Sequence, residues 1–600
     1  GDKIASLTAR NKEPRPMTSP AKTVKNLPLL LLLTMLCSGC LKEPADPAGA
    51  PGDKVVILLE SPPRDLDPRF VTDSSSSKVS RLIFCSLTTN ETEDLRPQLE
   101  VATSIEPNCE PGVDPCLDWV IKLRDDAFWH DGERVTAEDV VYTFESILDE
   151  KLGSPFRGDL SRKIESIEAV DGAVHIRLKV PVATFFSDLS IGLVPRHILE
   201  GSGDASGTFT KGYVGCGPYR FVEQYREQKV VLSRFEEYFK PVGPETVVVR
   251  TVTDEATRIL SIMAGSGHIV VNGISPPVVS TLEDEPQLKV LNHPAACTTY
   301  MTFNLMLPRL ADESVRRAVA LAIDRPNIVE EQFRGMAVPA KSILPPMHWA
   351  FNSDLPAIPY DPKLAEALLD EAGYPRDPET GVRFELTLKV TVDRFRKNIG
   401  AIIAHQLQRV GIDVRLLPLE LSTFLSDVRK GNFELYILQV PEVIDPDILR
   451  WLLHSQSSPE VVPMEGSSRY GEADRTLFTP DFKVVQGPYA DECRRRWFPF
   501  VIETGFGNWL RGSFGMPTQM GSGNRSFFFD PTLDCLLDLG FTTMDEEKRL
   551  GYYREAQRIA MDALPILPLW HEDNVGVVNR KIEGYRLLPI NRYGPVIEVH

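Results

Sequence analysis

The stretch from Asp118 to Asp149 constrains the fold most, because it encodes a strand, a tight turn and a capped helix in one short segment. Apolar and polar residues alternate from Trp119 to Arg124, as in a half-buried strand. Asp131-Gly132 supplies the positive-φ position of a hairpin turn. Thr136 is then predicted to be the N-cap of a helix with acidic residues in its first turn and apolar residues at helical spacing. The pattern predicts a fold that mixes sheet and helix.

The N-terminal residues predict export. Lys22 and Lys25 precede an uncharged run over 29–36, which is too short for the about twenty residues that cross a bilayer. Residues 1–39 are therefore interpreted as upstream residues and a signal peptide. The small residues before Cys40 resemble a lipoprotein signal, in which Cys40 is acylated, and residues 40–54 are then a flexible, lipid-anchored tether. The expected location is the cell envelope, either the periplasm or the outer face of the cell membrane; an ordinary secreted protein is the alternative.

Bulk composition narrows the class of protein. The formal net charge of −18 argues against a nucleic-acid partner. A chain of 600 residues exceeds the usual single-domain ceiling of about 250–300 residues, so more than one lobe is expected. Cys109 and Cys116 bracket a turn-rich segment and are a candidate disulfide in an oxidising compartment. No cysteine shows metal-ligand spacing, and no metal or cofactor is predicted.

The chain carries, in order, the segment 118–149 described above and further segments at 193–197, 214–221, 303–346 and 360–375. Together they resemble family 5 of the extracellular solute-binding proteins, the dipeptide, oligopeptide and nickel receptors of ABC importers. Residues 193–197 (LVPRH) are similar to the family's "lPkH", and residues 214–221 (VGCGPYRF) to its "vGTGPYkf", with Cys216 in place of Thr. The longest similar block spans 303–346, and 360–375 adds a helix that begins after Pro362 and ends at Gly373.

This resemblance implies a two-lobed, periplasmic-binding-protein-like α/β fold with an enlarged first lobe, in which helices flank mixed sheets. The expected lobe I covers 55–296, with an extra subdomain at about 89–215. Lobe II is expected over 297–525, with an atypical insertion at about 455–523, and residues 526–600 are expected to return to lobe I. The two crossovers at the hinge are then predicted near 297–302 and 522–529.

The resemblance also implies a ligand site between the lobes. The family's "gWxxDyxDP" motif, whose first Asp binds the ligand α-ammonium, is similar to residues 438–446 (LQVPEVIDP). Asp445-Pro446 sets the register, so Glu442 takes the place of the acid and Gln439 that of the Trp. Enclosing an ammonium group without a counter-charge costs several kcal/mol, so a site that binds one needs an acidic side chain. A solvated loop carboxylate is the alternative interpretation of Glu442.

Further candidate contacts lie on both lobes. Thr72, Asp73 and Ser74 on lobe I, and Gln439 and Val440 on lobe II, are expected to contact the ligand backbone. Arg394 lies near the position at which dipeptide receptors hold a ligand carboxylate; a surface salt bridge is the alternative.

The predicted function is that of a monomeric substrate-binding lipoprotein, which captures a peptide or similar small solute and delivers it to ABC permease subunits. The alternatives are an adapted lipoprotein that acts as a chaperone or sensor, and a receptor for a metal chelate. An enzyme is not expected, because common catalytic motifs such as G-x-S-x-G and H-E-x-x-H do not occur in the sequence.

Overall fold

The computed structural model describes residues 53–109, 116–200, 209, 212–225, 227–457, 487–493 and 523–599. The predicted signal peptide, Cys40, nearly all of the tether and most of the predicted insertion at 455–523 lie outside these residues. No helix in the described part of the chain is both long and apolar enough to cross a membrane.

The described strands and helices alternate along the chain. The strands are β1 (Lys54–Leu59), β2 (Thr88–Thr89), β3 (Gln98–Leu99), β4 (Ala102–Pro107), β5 (Asp118–Leu123), β6 (Ile164–Val170), β7 (Ala173–Leu178), β8 (Tyr219–Tyr225), β9 (Lys229–Arg234), β10 (Thr246–Thr251), β11 (Ile269–Val271), β12 (Leu288–Pro294), β13 (Thr298–Phe303), β14 (Ala337–Pro339), β15 (Phe384–Thr391), β16 (Ile412–Leu419), β17 (Leu435–Val440) and β18 (Ile566–Asn579). The helices are α1 (Ser74–Ile83), α2 (Ala137–Leu148), α3 (Arg157–Lys163), α4 (Phe185–Asp188), α5 (Arg196–Leu199), α6 (Glu255–Met263), α7 (Pro276–Leu282), α8 (Pro308–Ala311), α9 (Glu313–Ala322), α10 (Arg325–Phe333), α11 (Pro362–Glu371), α12 (Arg394–Arg409), α13 (Leu421–Arg429), α14 (Ile448–Leu453), α15 (Ala490–Glu492), α16 (Pro531–Thr542) and α17 (Glu546–Ala563), with 3₁₀ turns at Ser455–Ser457 and Gly594–Glu598.

Residues 118–149, the segment that constrains the fold most, form the predicted strand, turn and capped helix. The strand is β5, and Gly132 adopts φ +95° in the turn. Thr136 and Asp139 form a reciprocal capping box at the start of α2. β5 lies in an antiparallel sheet of order β4-β5-β7-β6, and α2 packs on β6 and β7 over a core that contains Trp129 and Phe144. The sheet itself lies between residues 102 and 178, and its core also includes Cys85, Leu87 and Cys216, which lie outside the range 89–215 expected for the extra subdomain.

A mixed sheet of twelve strands, ordered β16-β15-β17-β13-β18-β11-β1-β10-β9-β8 with β12 and β14 also on β18, joins two halves of the molecule. β18 belongs to both halves. Its first part pairs with β13 and β14, for example Thr299 with Trp570. Its second part pairs with β11 and β12, for example Ile269 with Val578. The hinge is therefore built around one long strand.

The hydrophobic clusters separate two lobes. Most of the buried apolar residues between Tyr300 and Trp570 form one cluster. Those from the first part of the chain form the other large clusters, and two of these clusters also contain residues from Val575 onward. We define lobe I as the described residues of 53–294 and 573–599, and lobe II as those of 298–572. The fold is thus a two-lobed α/β fold with mixed sheets and flanking helices.

The second crossover differs from the prediction. Residues from 526 were expected to return to lobe I, but α16 and α17 bury Leu533, Leu536 and Tyr553 in the lobe II cluster. The chain returns only within β18, between Glu572, opposite Ala337 of lobe II, and Asp573, opposite Pro294 of lobe I. The two helices stay with lobe II because most of their apolar residues pack into its core. The first crossover, between Pro294 and Thr298, adjoins the predicted range.

Three disulfides occur among the described residues. They join Cys85 to Cys216, Cys109 to Cys116 and Cys493 to Cys535, with Cα–Cα distances of 5.1, 5.9 and 6.0 Å. The candidate pair Cys109–Cys116 is therefore bonded in the structure. Cys297, at the first crossover, is a buried free thiol.

Candidate functional site

A cavity of about 720 Å³ lies between the two lobes. Volumes of about 300–1,000 Å³ are typical of sites for small ligands. Lobe I contributes the start of α1, the middle of β18 from Asp573 onward and the C-terminal segment around Arg592. Lobe II contributes Arg396 of α12, the end of β17 and Glu442. Closing one lobe on the other therefore encloses a space with walls from distant parts of the chain.

Five of the predicted site residues line this cavity: Thr72, Asp73, Ser74, Gln439 and Glu442. The carboxylate of Asp73 accepts the backbone N–H of Ser76 at 2.9 Å and so caps α1, which sets the start of the helix at the cavity wall. Gln439 lies in β17 opposite Thr299, and its Nε2 is 3.7 Å from Sγ of Cys297.

Val440 and Arg394 are not among the described residues that line the cavity. Val440 is buried at the end of β17, opposite Thr298. Arg394 is an exposed residue in the first turn of α12. Arg396, two residues further on, occupies the cavity wall instead. The predicted contact of Arg394 with a ligand carboxylate therefore stays a prediction, and Arg396 is the arginine of this helix that lines the cavity.

Arg396 is bound by Glu572 of β18. Its guanidinium donates to both carboxylate oxygens, at 2.6 and 3.1 Å, and Thr299 Oγ1 donates to Oε1 at 2.7 Å. Burial opposes ionisation of Glu572, but Arg396 and the hydrogen bonds outweigh it and lower the pKa of this carboxyl. The charge of Arg396 is thus neutralised within the protein by a residue of the hinge strand β18.

Glu442 is also paired. Its Oε2 accepts from Nη2 of Arg592 at 2.8 Å, and the two side chains are 26% and 17% exposed. Glu442 belongs to lobe II and Arg592 to lobe I, so this ion pair crosses the cleft. The side chain faces the cavity, as the ammonium-binding interpretation requires, but its counter-charge comes from the protein itself.

Lys78 was not predicted from the sequence. It lies one turn after Ser74 in α1 and lines the same cavity, with 1% of its surface exposed. Burial lowers the pKa of its ammonium group, and Glu60 and Glu442 partly offset this effect. The i, i+4 spacing to Ser74 is a signal that could have identified Lys78. No comparable signal marks Arg592, which is 150 residues from its partner Glu442.

Asp573 completes the charged lining where β18 passes into lobe I. Burial raises the pKa of its carboxyl, and a hydrogen bond from Asn292 opposes the shift. Among the described residues, no group of three or more His, Cys, Asp or Glu side chains is placed to hold a metal ion. The cavity is suited to noncovalent recognition of a polar solute.

A two-lobed fold with a polar cavity at the hinge defines the class of solute-binding proteins. Residues 113–459, more than half of the chain, match the model of the bacterial extracellular solute-binding proteins, family 5 Middle. The chain therefore belongs to family 5 of the bacterial extracellular solute-binding proteins.

Similar proteins are known from several bacteria. The oligopeptide-binding protein AppA of Bacillus subtilis is 26% identical over 68% of this chain and 78% of its own length. The glutathione-binding protein GsiB of Escherichia coli is 24% identical over 89% and 92%. The crystal structure of NikZ from Campylobacter jejuni in complex with Ni(L-His) has a TM-score of 0.69 at 21% identity, over 91% of this chain and 99% of NikZ. This structural similarity supports the two-lobed fold.

Proposed function

We propose that this chain is the substrate-binding protein of an ABC importer, and that it captures a peptide or similar small solute between its lobes for delivery to a membrane permease. The observation that carries this proposal is the cavity of about 720 Å³ with polar walls from both lobes. Its relatives include an oligopeptide-binding and a glutathione-binding protein, which supports a peptide-like solute.

Contacts across the cleft support a closed, ligand-competent form. Arg96 of lobe I pairs with Glu546 of lobe II at 2.7 Å, and the backbone N–H of Ala183 donates to the carbonyl of Phe541 at 3.0 Å. Val182 packs on Phe541 at the same place. A ligand that contacts both walls stabilises this form, and the closed form is the state that a permease can distinguish from the empty one.

The predicted site residues have different proposed roles. Thr72, Ser74 and Gln439 lie in the cavity wall and are proposed as ligand contacts, with Asp73 as the cap that orders α1. Glu442 is proposed to shape the wall with Arg592 rather than to bind an ammonium group alone. Arg394 is not carried into the proposed site.

We further propose that the mature chain begins at an acylated Cys40 and is tethered to the cell envelope by residues 40–54. The signal-like pattern before Cys40 supports this proposal. The tether then ends where β1 begins at Lys54.

Native mass spectrometry of the chain purified from a bacterial membrane fraction tests these proposals together. We expect a diacylglycerol mass on the N-terminal peptide and a small noncovalent solute that is released on unfolding. The released solute should be a peptide, and a matching synthetic peptide should raise the melting temperature of the stripped protein. A solute without amide bonds would contradict the peptide assignment.

The metal-chelate alternative is supported by the fold shared with NikZ, which binds Ni(L-His). It predicts that nickel with histidine, and not a peptide, raises the melting temperature. If neither stabilises the protein and nothing co-purifies with it, the importer function is contradicted in favour of a chaperone or sensor.

A further inference from the structure

Lys78 is an unusual lysine for its degree of burial. Its side chain is 1% exposed in the lobe I wall of the cavity, and its Nζ lies 5.6 Å from the ring centroid of Tyr593. No carboxylate among the described residues forms an ion pair with it, and no acceptor among them takes a hydrogen bond from it. A buried ammonium group without a partner is costly, so such lysines generally have a functional partner.

The other buried lysines show what a structural role looks like. Lys163 is paired with Asp159 and Asp188 at 2.6 and 2.8 Å. Lys389 is paired with Asp427 at 2.6 Å and also donates to the carbonyl of Asn432. Lys78 departs from this pattern, because it lines the cavity and has no carboxylate partner in the described part of the chain.

Three further polar atoms with open hydrogen-bonding capacity occur in the same cavity lining. Oε2 of Glu60, Oδ1 of Asn591 and Nε of Arg592 are buried and have no hydrogen-bond partner among the described residues. Leaving each unsatisfied costs about 1–3 kcal/mol. The lobe I wall therefore presents two donors, the ammonium group of Lys78 and Nε of Arg592, whose Nη2 is already bound by Glu442, together with two acceptors, Glu60 and Asn591.

From this arrangement, which rests on the proposed function, we infer that lobe I binds a carboxylate of the solute through Lys78 and Arg592, and an adjacent N–H of the solute through Glu60 and Asn591. The C-terminal residue of a peptide has this chemistry, since its carboxylate and its amide N–H are separated by one carbon. An acidic side chain is a second source of the same carboxylate.

Glu60 and Asn591 could also accept from an ammonium group, so the charge of Lys78 decides which end of a peptide this wall prefers. Glu442 is neutralised by Arg592, and Glu572 by Arg396. An ammonium group would also have to approach Lys78, whose charge repels it. The lobe I wall thus distinguishes the ends of a peptide by charge.

Matched pools of short peptides, tested by affinity selection and thermal shift on the ligand-stripped protein, check the inference. The pools are unmodified, C-amidated, N-acetylated, and C-amidated with one internal Asp. We expect amidation to weaken binding by about ten- to hundredfold, the loss of a charge-assisted contact, and acetylation to have a much smaller effect. Rescue of the amidated pool by the internal Asp identifies the side chain as an alternative source of the carboxylate.

The substitution Lys78→Met tests the role of the lysine charge, because Met keeps most of the length of the side chain and lacks the charge. We expect Lys78→Met to raise the melting temperature of the empty protein and to abolish the preference for unmodified over amidated peptides. Lys389→Met is the matched control: it removes a paired lysine remote from the cavity, so it should lower the melting temperature and retain the preference.

Each result is decisive. Equal binding of unmodified and amidated pools overturns the carboxylate site while leaving the proposed peptide receptor intact. Loss of binding on acetylation alone assigns the ammonium to Glu442 and also overturns it. If no pool binds, the peptide receptor itself fails, and the inference fails with it.

Discussion

At the residue scale, the charges of the cavity wall are mostly compensated within the protein. Glu442 takes its counter-charge from Arg592 across the cleft, and Arg396 takes Glu572 from the hinge strand. Sequence similarity could place an acid in the wall at position 442, because the Asp-Pro that follows sets the register. It could not supply the partner, because the distance in sequence between Glu442 and Arg592 carries no pattern.

Separate substitutions of Arg394 and Arg396 test whether Arg396 is the partner of Glu572. Arg396→Gln should leave Glu572 without its main partner and lower the free energy of unfolding at pH 7 by about 1–2 kcal/mol, a value reduced from that of a fully buried pair because both side chains are partly exposed. Since the folded pKa of Glu572 is depressed, this contribution is present above the pKa of the unfolded chain and is lost as the pH falls through the folded value.

The measurement is urea denaturation of both variants at pH 7 and below pH 4. Arg394→Gln is the control: it alters an exposed residue and should match the parent protein at both pH values. Equal destabilisation by the two substitutions would contradict the assignment of Arg396.

At the element scale, the junction between α1 and the segment before β8 shows why one departure from the family pattern occurs. Cys216 stands where the family has Thr, and it is bonded to Cys85 just after α1. The glycines on either side allow the approach: a Cβ on Gly215 would lie 1.9 Å from the carbonyl oxygen of Ile83. Gly215 and Gly217 flank Cys216 in the sequence, but only the folded structure shows that the end of α1 is the element that approaches them.

Replacing the Cys85–Cys216 disulfide tests the strength of this junction. The bond spans a sequence separation of 131 residues, against 7 for Cys109–Cys116. In the chain-entropy account, a disulfide that closes a longer loop stabilises the folded state more. The double substitution Cys85→Ala with Cys216→Thr should therefore lower the free energy of unfolding by about 3–5 kcal/mol, and Cys109→Ser with Cys116→Ser should lower it by about 2 kcal/mol. Melting temperatures of the two double variants under oxidising conditions provide the comparison. A larger loss for the short loop would contradict this ranking.

At the scale of the whole molecule, buried histidines link stability to pH. Burial lowers the pKa of His130 in lobe I, His348 in lobe II and His571 in β18 to about 4 each. In the unfolded chain these groups take up protons near their usual pKa of about 6.5. Between these values the unfolded state binds more protons, so the free energy of unfolding falls as the pH falls.

We therefore expect these three histidines to lower the melting temperature as the pH falls from 7 to 4. The buried carboxyls of Asp188, Asp447 and Asp534, whose pKa burial raises to about 6, act in the opposite direction over the same range, so single substitutions are needed to separate the two effects. Each of the three histidines should contribute roughly 1–2 kcal/mol of this loss at pH 5. His348→Gln should flatten the pH dependence, whereas substitution of the exposed His405 with Gln should leave its slope unchanged. Differential scanning calorimetry over this range provides the measurement, and an identical pH dependence of the melting temperature in His348→Gln and the parent protein would contradict the mechanism.

The sequence by itself determined the local elements and, through its resemblance to the family, indicated the class of fold and five residues that line the cavity. These features depend on near neighbours: the cap at Thr136, the alternation in β5 and the Asp-Pro register after Glu442. The tertiary structure alone decided where the chain returns to lobe I, which cysteine bonds to Cys216, and which charges meet in the cleft. These features depend on burial and on charges brought together from distant positions, and such contacts leave no periodic signal in the chain.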